Sequence, residues 1–442
     1  MKKYLLHILL VSLMYVSCNE NVEYKKQLNS QELYLEAFGK LTSVITYDIF
    51  SPPVASRIYA YTSIAAYEAI IPAYGDKYQS LENQLNGLEE IPKPTDKNVN
   101  HHLASIHAFL EVSKELVFSE EKITDYQESI YEKLKSEGLS NKEFKSSIAY
   151  GDQISKHIVT WADTDMYKET RSFPKYTIVN EEHLWKPTPP DYMQGIEPHW
   201  KQIRTMVLKT ANQFPPLDPV KFDLNKESEF YSQLDEVYVV GSKLTEEETA
   251  IASFWDCNPF VSHHRGHAMF ATKKITPGGH WMSIAGIACK INKTTIDEAI
   301  EAHALVSISL FDAFISCWEA KYRTALVRPE TLINQFIDEE WQPLLQTPPF
   351  PEYTSGHSVA SRSAAVALTE IFGDDFSFLD TSELEFGLPA REYKSFYQAS
   401  EEAAISRLYG GIHYMMAIEN GVTQGGNVGD YIAENLETRI VK

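Results

Sequence analysis

Apolar residues recur at intervals of three and four across 31–74, the period of a helix buried along one face. Ser51-Pro52-Pro53 splits that run, with proline placed to open a second helix. The same period predicts helices over 98–118, 119–137 and 141–166. Ser119-Glu120-Glu121 suits an N-terminus there and Gly138 a stop. Residues 75–98 carry Gly, Asn, Pro and Asp and read as a loop. From 168 to 219 the period is lost, and Pro187-Thr188-Pro189-Pro190 and Pro215-Pro216 punctuate a stretch rich in Tyr and Trp. A loop that long within a folded body is functional or packs over something. It is expected to wrap the helices and wall a pocket.

Periodicity returns over 225–240 and 245–255, the second opened by Thr245-Glu246-Glu247-Glu248. Residues 263–273 read as a helical continuation, broken by Thr276-Pro277-Gly278-Gly279. Helices follow over 280–290 and from Thr294 through 327. Another over 358–372 is built of small residues, and one beginning near Lys394 ends at Ser406-Arg407. Alternating Val/Ile/Thr runs are scarce, and neither Asn86-Gly87 nor Asn420-Gly421 has strand-like flanks. The pattern predicts an all-α protein of helix bundles. A supporting half, 31–219, precedes a half that carries the chemistry, 220–442.

The chain of 442 residues is 43% hydrophobic and 12% aromatic, enough for a large packed core. Its net charge of −21 excludes general binding to nucleic acid or to anionic membranes. Lys2 and Lys3, an apolar run to Val16, and Ser17-Cys18 form an export signal over 1–17. Cys18 stands where a bacterial lipoprotein is lipidated. Residues 18–30 then read as a tether, and the protein as exported and lipid-anchored in a bacterial envelope, facing the periplasm or the surface. The remaining cysteines, Cys257, Cys289 and Cys317, are odd in number and are expected to be buried thiols.

Chemistry concentrates between Trp318 and His413. Lys321 precedes Arg328-Pro329, then come Ser355-Gly356-His357, Ser406-Arg407 and His413. Guanidinium forks and an ammonium point charge are what phosphate-like oxygens need. A Ser-Gly step opening a helix adds backbone N–H donors at the positive end of its dipole. Two histidines can divide the work, one bonding a central atom and one moving protons. Read on the long helix, Lys321 and Arg328 share a face, with Arg328 at its C-terminal end before Pro329. A second group runs Trp255-Asp256-Cys257-Asn258-Pro259-Phe260, before His263, His264 and His267. Cys and His could ligate zinc, but the spacing is loose and no second cysteine is near. The segment reads better as pocket lining, with Asp256 or Asn258 bracing Arg407 or His413 and Phe260 as a wall. His280-Trp281 reads the same way.

In order, the three blocks resemble K-x6-R-P, P-S-G-H and S-R-x5-H, the signature shared by vanadium-dependent haloperoxidases and type 2 phosphatidic acid phosphatases. Thr354 stands where the middle block has Pro. The resemblance implies helix bundles of the vanadium chloroperoxidase and acid phosphatase type. As a haloperoxidase, the protein would hold one vanadate with His413 as the metal ligand. Lys321, Arg328, Ser355, Gly356 and Arg407 would hold its oxygens, His357 would exchange protons, and Lys321 would polarise the peroxide. Hydrogen peroxide and a halide, iodide or bromide before chloride, would be the substrates, with an organic molecule as acceptor. Trp318 and Phe350 match the pocket aromatics of the fungal chloroperoxidase type. As an acid phosphatase, it would use His413 as nucleophile and His357 as acid, because both chemistries share a trigonal-bipyramidal geometry. A surface lipoprotein that only captures an oxyanion would use the same cradle but needs no such pair of histidines. Size and the long helical region favour the haloperoxidase. The lipoprotein signal with this layout is similar to haloperoxidases of marine Bacteroidetes, some of which favour iodide. The family also implies a homodimer.

Overall fold

The computed structural model describes residues 23–265 and 268–440, and side chains throughout these except at 263–265 and 268–270. The export segment, Cys18 and His267 lie outside the described residues, as do the side chains of His263 and His264. The first half contains α1 (Glu23–Leu28), α2 (Gln31–Tyr47), α3 (Pro52–Ile70), α4 (His101–Leu116), α5 (Glu120–Ser136), α6 (Asn141–Ala162) and the single turn α7 (Tyr167–Thr170). The second contains α8 (Glu229–Gly241), α9 (Glu246–Phe254), α10 (Pro277–Asn292), α11 (Ile296–Thr324), α12 (Pro329–Phe336), α13 (Gly356–Phe372), α14 (Phe396–Tyr409) and α15 (Met415–Asn435). Two antiparallel hairpins interrupt them: β1 (Val261–Arg265) with β2 (Ala268–Thr272), and β3 (Phe378–Asp380) with β4 (Arg391–Tyr393).

Caps set many of the boundaries. Asn100, Ser140, Thr245 and Ser355 each accept a backbone N–H from the first turn they precede. Thr245 and Glu248 complete a reciprocal capping box. The centre is α11, long and apolar enough to cross a membrane by composition, yet almost wholly buried among other helices. Helix α3 packs on it from the first half, α13 and α15 from the second. One apolar core therefore runs from Tyr24 to Leu436. Helix α15 lies close on α13 because a β-carbon at Gly425 would collide with the Val359 carbonyl, and one at Gly429 would press on Val366.

The stretch 168–219 is a strap with little regular structure. It has to satisfy its backbone elsewhere, and α11 supplies the partners. The Asp312 carboxylate accepts the N–H groups of Met206, Val207 and Leu208 at 2.7–2.9 Å. The Trp185 N–H donates to the Ala325 carbonyl at 2.7 Å. The Ile196 carbonyl accepts from the Tyr322 hydroxyl at 2.6 Å and from the Trp318 indole at 3.3 Å.

Four expectations are corrected. The tether does not reach residue 30, because α1 starts at Glu23 and buries Tyr24 and Leu28. The described backbone within 263–272 is strand, not helix: 261–265 pair antiparallel with 268–272. The long helix stops at Thr324, where Ala325 turns left-handed (φ +47°). Arg328 is extended and caps the next helix, with Pro329 at its first position, where proline fits best. Lys321 and Arg328 therefore do not share a helical face. Beyond His413, where the sequence pattern names no helix, the chain forms α15.

Candidate active site

Three turns of chain converge on one buried place. Lys321 comes from the last turn of α11, and Arg328 from the link to α12. Ser355 and Gly356 open α13, Arg407 closes α14, and His413 follows a turn made by Gly411 (φ +75°). All are buried, the three cations included. Arg328 donates through Nε to the Phe350 carbonyl (3.0 Å) and through Nη1 to the Ile412 carbonyl (2.8 Å), and Nη1 also lies 3.2 Å from His413 Nε2. Its Nη2 is buried with no partner. Arg407 is aimed by the Ser406 hydroxyl (2.9 Å) and the Trp255 carbonyl (2.7 Å). Lys321 Nζ donates to the carbonyls of Pro351, Glu352 and Thr354 at 3.0, 3.0 and 2.5 Å. Those three bonds use every N–H of an ammonium. In this geometry Lys321 fixes the loop that leads into the Ser-Gly turn.

The two histidines are set for different jobs. Glu352 Oε1 lies 2.8 Å from His413 Nδ1 and also accepts the Tyr414 N–H at 3.0 Å. An oxygen already accepting there also accepts a hydrogen bond from Nδ1–H, so the ring proton stays on Nδ1 and Nε2 keeps its lone pair. His357 bonds the Trp255 carbonyl, which can only accept, while its Nε2 is buried without a partner. That nitrogen is a bare base facing the site. Ser355 Oγ accepts from the Ser358 hydroxyl at 2.8 Å, which leaves its own O–H to donate. The N–H groups of the first turn of α13 have no intrahelical partner. A β-carbon at Gly356 would stand 3.7 Å from Trp318 and 3.9 Å from Lys321, in the space between them.

Electrostatics say what is missing. Burial pushes the Lys321 ammonium down to about 7, and the Arg328 guanidinium adds to that. Burial brings Arg328 down to about 10 and lowers Arg407. It holds both histidines well below their ordinary range, with the neighbouring cations adding to it. Burial also raises Glu352 to about 7. So many buried cations beside one carboxylate cannot balance each other. The donor set, the bare Arg328 Nη2 and the two nitrogen lone pairs fit a compact oxyanion.

The site opens on a cavity of ≈ 200 Å³, whose floor includes Gly356, His357, Arg407 and His413. Trp318, Phe350, Asp256, Asn258 and Phe260 line it, with Met193 and Ile196 from the strap and Ile49 from the first half. Lys321, Arg328 and Ser355 do not line it and lie deeper. Asp256 pairs with Lys274 at 2.6 Å and acts on Arg407 only through space. Asn258 Oδ1 accepts the Phe260 N–H at 3.1 Å. The residue that braces His413 is Glu352, which sequence reasoning passed over. Its one signal was a lone carboxylate in the apolar stretch before the Ser-Gly turn. His280 and Trp281 are wholly buried behind the cavity rather than in its wall. Thr354, where the motif has Pro, joins a buried chain to Gln424 (2.7 Å) and on to Ser316 (2.9 Å).

A search of solved structures finds a bacterial vanadium-dependent iodoperoxidase, 49% identical, covering 93% of this chain and 98% of that one, with a TM-score of 0.89. The chain belongs to the vanadium-dependent haloperoxidases. A family model described as the second helical-bundle domain of VCPO matches residues 301–441 of this haloperoxidase. Holo and apo forms of a bacterial vanadium-dependent chloroperoxidase share its fold at 17% identity, with TM-scores of 0.67 and 0.64. They cover 88% and 87% of it, and it covers 93% and 94% of them. A search of curated proteins finds no match. As in its family, the haloperoxidase is an enzyme whose cofactor is vanadate.

Proposed function

We propose that the enzyme uses hydrogen peroxide to oxidise iodide in preference to bromide or chloride, with vanadate held through His413 Nε2. The observation that carries the site assignment is the orphaned Arg328 Nη2 beside a His413 Nε2 whose lone pair Glu352 preserves. Vanadate bound there supplies a Lewis-acidic centre that makes hydrogen peroxide electrophilic toward a halide.

The chain's own residues do the rest. Glu352 keeps the proton on Nδ1, so His413 meets the metal as a neutral ligand. Arg328 and Arg407, with the Ser355 hydroxyl and the Gly356 N–H, hold the oxygens and balance their charge. His357 Nε2 takes a proton from hydrogen peroxide as it enters and returns one to the oxygen that leaves. Lys321 adds positive charge and regains its full ammonium character as negative charge arrives beside it. Trp318, Phe350 and Phe260 make the cavity walls apolar, which suits the large, weakly hydrated iodide. Iodide is also the easiest of the three to oxidise, and the 49% identical relative is an iodoperoxidase.

The test is a paired assay on protein stripped of vanadium. Vanadate with hydrogen peroxide should restore halide oxidation, with the highest kcat/KM for iodide, and His413→Ala should abolish it. Cleavage of p-nitrophenyl phosphate that vanadate inhibits, with no halide oxidised, would overturn the assignment. Export with lipid attachment at Cys18, and assembly as a homodimer, belong to the same proposal. The first rests on the Lys2-Lys3, apolar and Ser17-Cys18 pattern, and mass spectrometry of the membrane-extracted protein reads it. The second rests on family precedent, and sedimentation reads it.

A further inference from the structure

Behind the cavity wall, three side chains from distant parts of the chain point at one another. Cys257 follows α9 and borders the cavity, His280 lies in the first turns of α10, and Glu383 follows β3. All three are buried. Cys257 Sγ is 3.4 Å from His280 Nδ1, and Nδ1 is 3.3 Å from Glu383 Oε1. All three ligand atoms lie within 4.8 Å of one another. Glu383 Oε1 has no hydrogen-bond partner, although it is buried and aimed into the group. On the far side of the ring, His280 Nε2 is 2.8 Å from Asp380 Oδ2. Asp380 is itself held through Oδ1 by the Ser382 N–H (3.0 Å) and hydroxyl (2.7 Å).

We propose that Cys257, His280 and Glu383 form a zinc site beside the catalytic cavity, distinct from the vanadate site. The spacing is that of a tetrahedral ion. With zinc about 2.3 Å from sulfur and about 2.0–2.1 Å from nitrogen and oxygen, neighbouring ligands stand about 3.6 Å (S···N) and about 3.3 Å (N···O) apart. The two observed edges, 3.4 and 3.3 Å, need almost no movement. A ring nitrogen that ligates a metal commonly has its other nitrogen on a carboxylate, and Asp380 fills that role. One thiolate, one carboxylate and a neutral imidazole carry two negative charges, which balance a divalent ion. Sulfur, nitrogen and oxygen together select zinc over calcium or magnesium. On binding, the thiol proton and the surplus imidazole proton leave to solvent. The fourth position falls to water from the cavity that Cys257 borders.

The site has a place in the architecture. Trp255 stacks on His280 at 4.4 Å between ring centroids, and its carbonyl holds both Arg407 and His357. Zinc there would fasten the wall segment 255–260 to α10 and to the end of β3. Another such group among the described residues, His107, Glu111 and Asp152, is different. Both ring nitrogens of His107 are already engaged, by Tyr131 at 2.5 Å and by Asp152 at 2.7 Å.

The experiment uses the untagged full chain, stripped with a chelator, equilibrated with zinc alone, desalted and assayed for metal. Wild type should retain one zinc more per chain than Cys257→Ser or Glu383→Gln, and its melting midpoint should rise with zinc where theirs does not. Cobalt in place of zinc should give a thiolate-to-cobalt charge-transfer band that Cys289→Ser keeps and Cys257→Ser loses. Glu383→Gln, closest to the native shape, covers the case in which the cysteine variant misfolds. Equal zinc in wild type and variants, with no thiolate band, would overturn the proposal and leave His280 as an imidazolium held between two carboxylates.

Discussion

Arg57 and Arg328 are both buried arginines, one in each half, and their surroundings answer burial differently. Arg57 Nε meets Asp165 at 2.6 Å, Nη2 meets the Ala162 carbonyl at 3.1 Å, and the tyrosines 61 and 167 lie under its guanidinium. Burial works against it, yet its partners raise it above the ordinary arginine value. Arg328 has carbonyls, one imidazole nitrogen and an empty-handed Nη2, and burial lowers it to about 10. The first guanidinium is complete within the fold. The second is complete only when an anion arrives. A buried cation becomes evidence of function through the absence of its counter-charge.

The sharpest way to break that contrast is to remove one partner from each. Asp165→Asn strands Arg57 and should cost about 3–5 kcal/mol of unfolding free energy. Arg328→Met should leave stability far less changed in anion-free protein, because it also removes an uncompensated charge. It should lower halide oxidation about 10²–10³-fold, the usual loss of an oxyanion donor. Chemical denaturation beside vanadate-saturated kinetics measures both, and equal destabilisation by the two variants would refute the distinction.

Next in size is Glu352→Gln. It keeps the shape but loses the carboxylate that fixes the proton on His413 Nδ1, so vanadate affinity should fall about 10–100-fold. Titration of activity against vanadate reads it, and Glu352→Asp should recover part of the loss. The smallest effect concerns pH. Burial pushes Lys321 down to about 7, and an oxyanion bound beside it would push it back up. Below 7 the ammonium is present before and after binding. Above 7 binding must take up a proton, so affinity should weaken by up to about tenfold per pH unit. Lys321→Met should remove this part of the slope, leaving whatever vanadate's own ionisation contributes. An unchanged slope would show that Lys321 serves the loop alone.

Most helices were legible because their apolar period and caps are local properties, as at Ser140, Thr245 and Ser355. The cradle was legible for another reason: residue types and spacing carry it together. What escaped depends on partners far away in sequence. Helix α15 contains Gly421, Gly425, Gly426 and Gly429, which look like helix breakers until α13 is placed against them. Arg328 seemed to end one helix because Pro329 follows, and proline marks starts as readily as stops. Glu352 was silent because nothing in its own neighbourhood says that His413 lies 2.8 Å away.

The strap has a consequence for inheritance. The anion's holders come from 321–413, whereas part of the cavity's rim comes from Ile49, Ser51, Pro52, Met193 and Ile196. Ile196 reaches that rim through main-chain bonds, its N–H to the Pro349 carbonyl and its carbonyl to Tyr322 and Trp318. Main-chain bonds tolerate a change of side chain. Related enzymes can thus exchange the residues that screen incoming molecules while the inherited machinery beneath stays constant, and a lineage can diversify its diet without reinventing its chemistry.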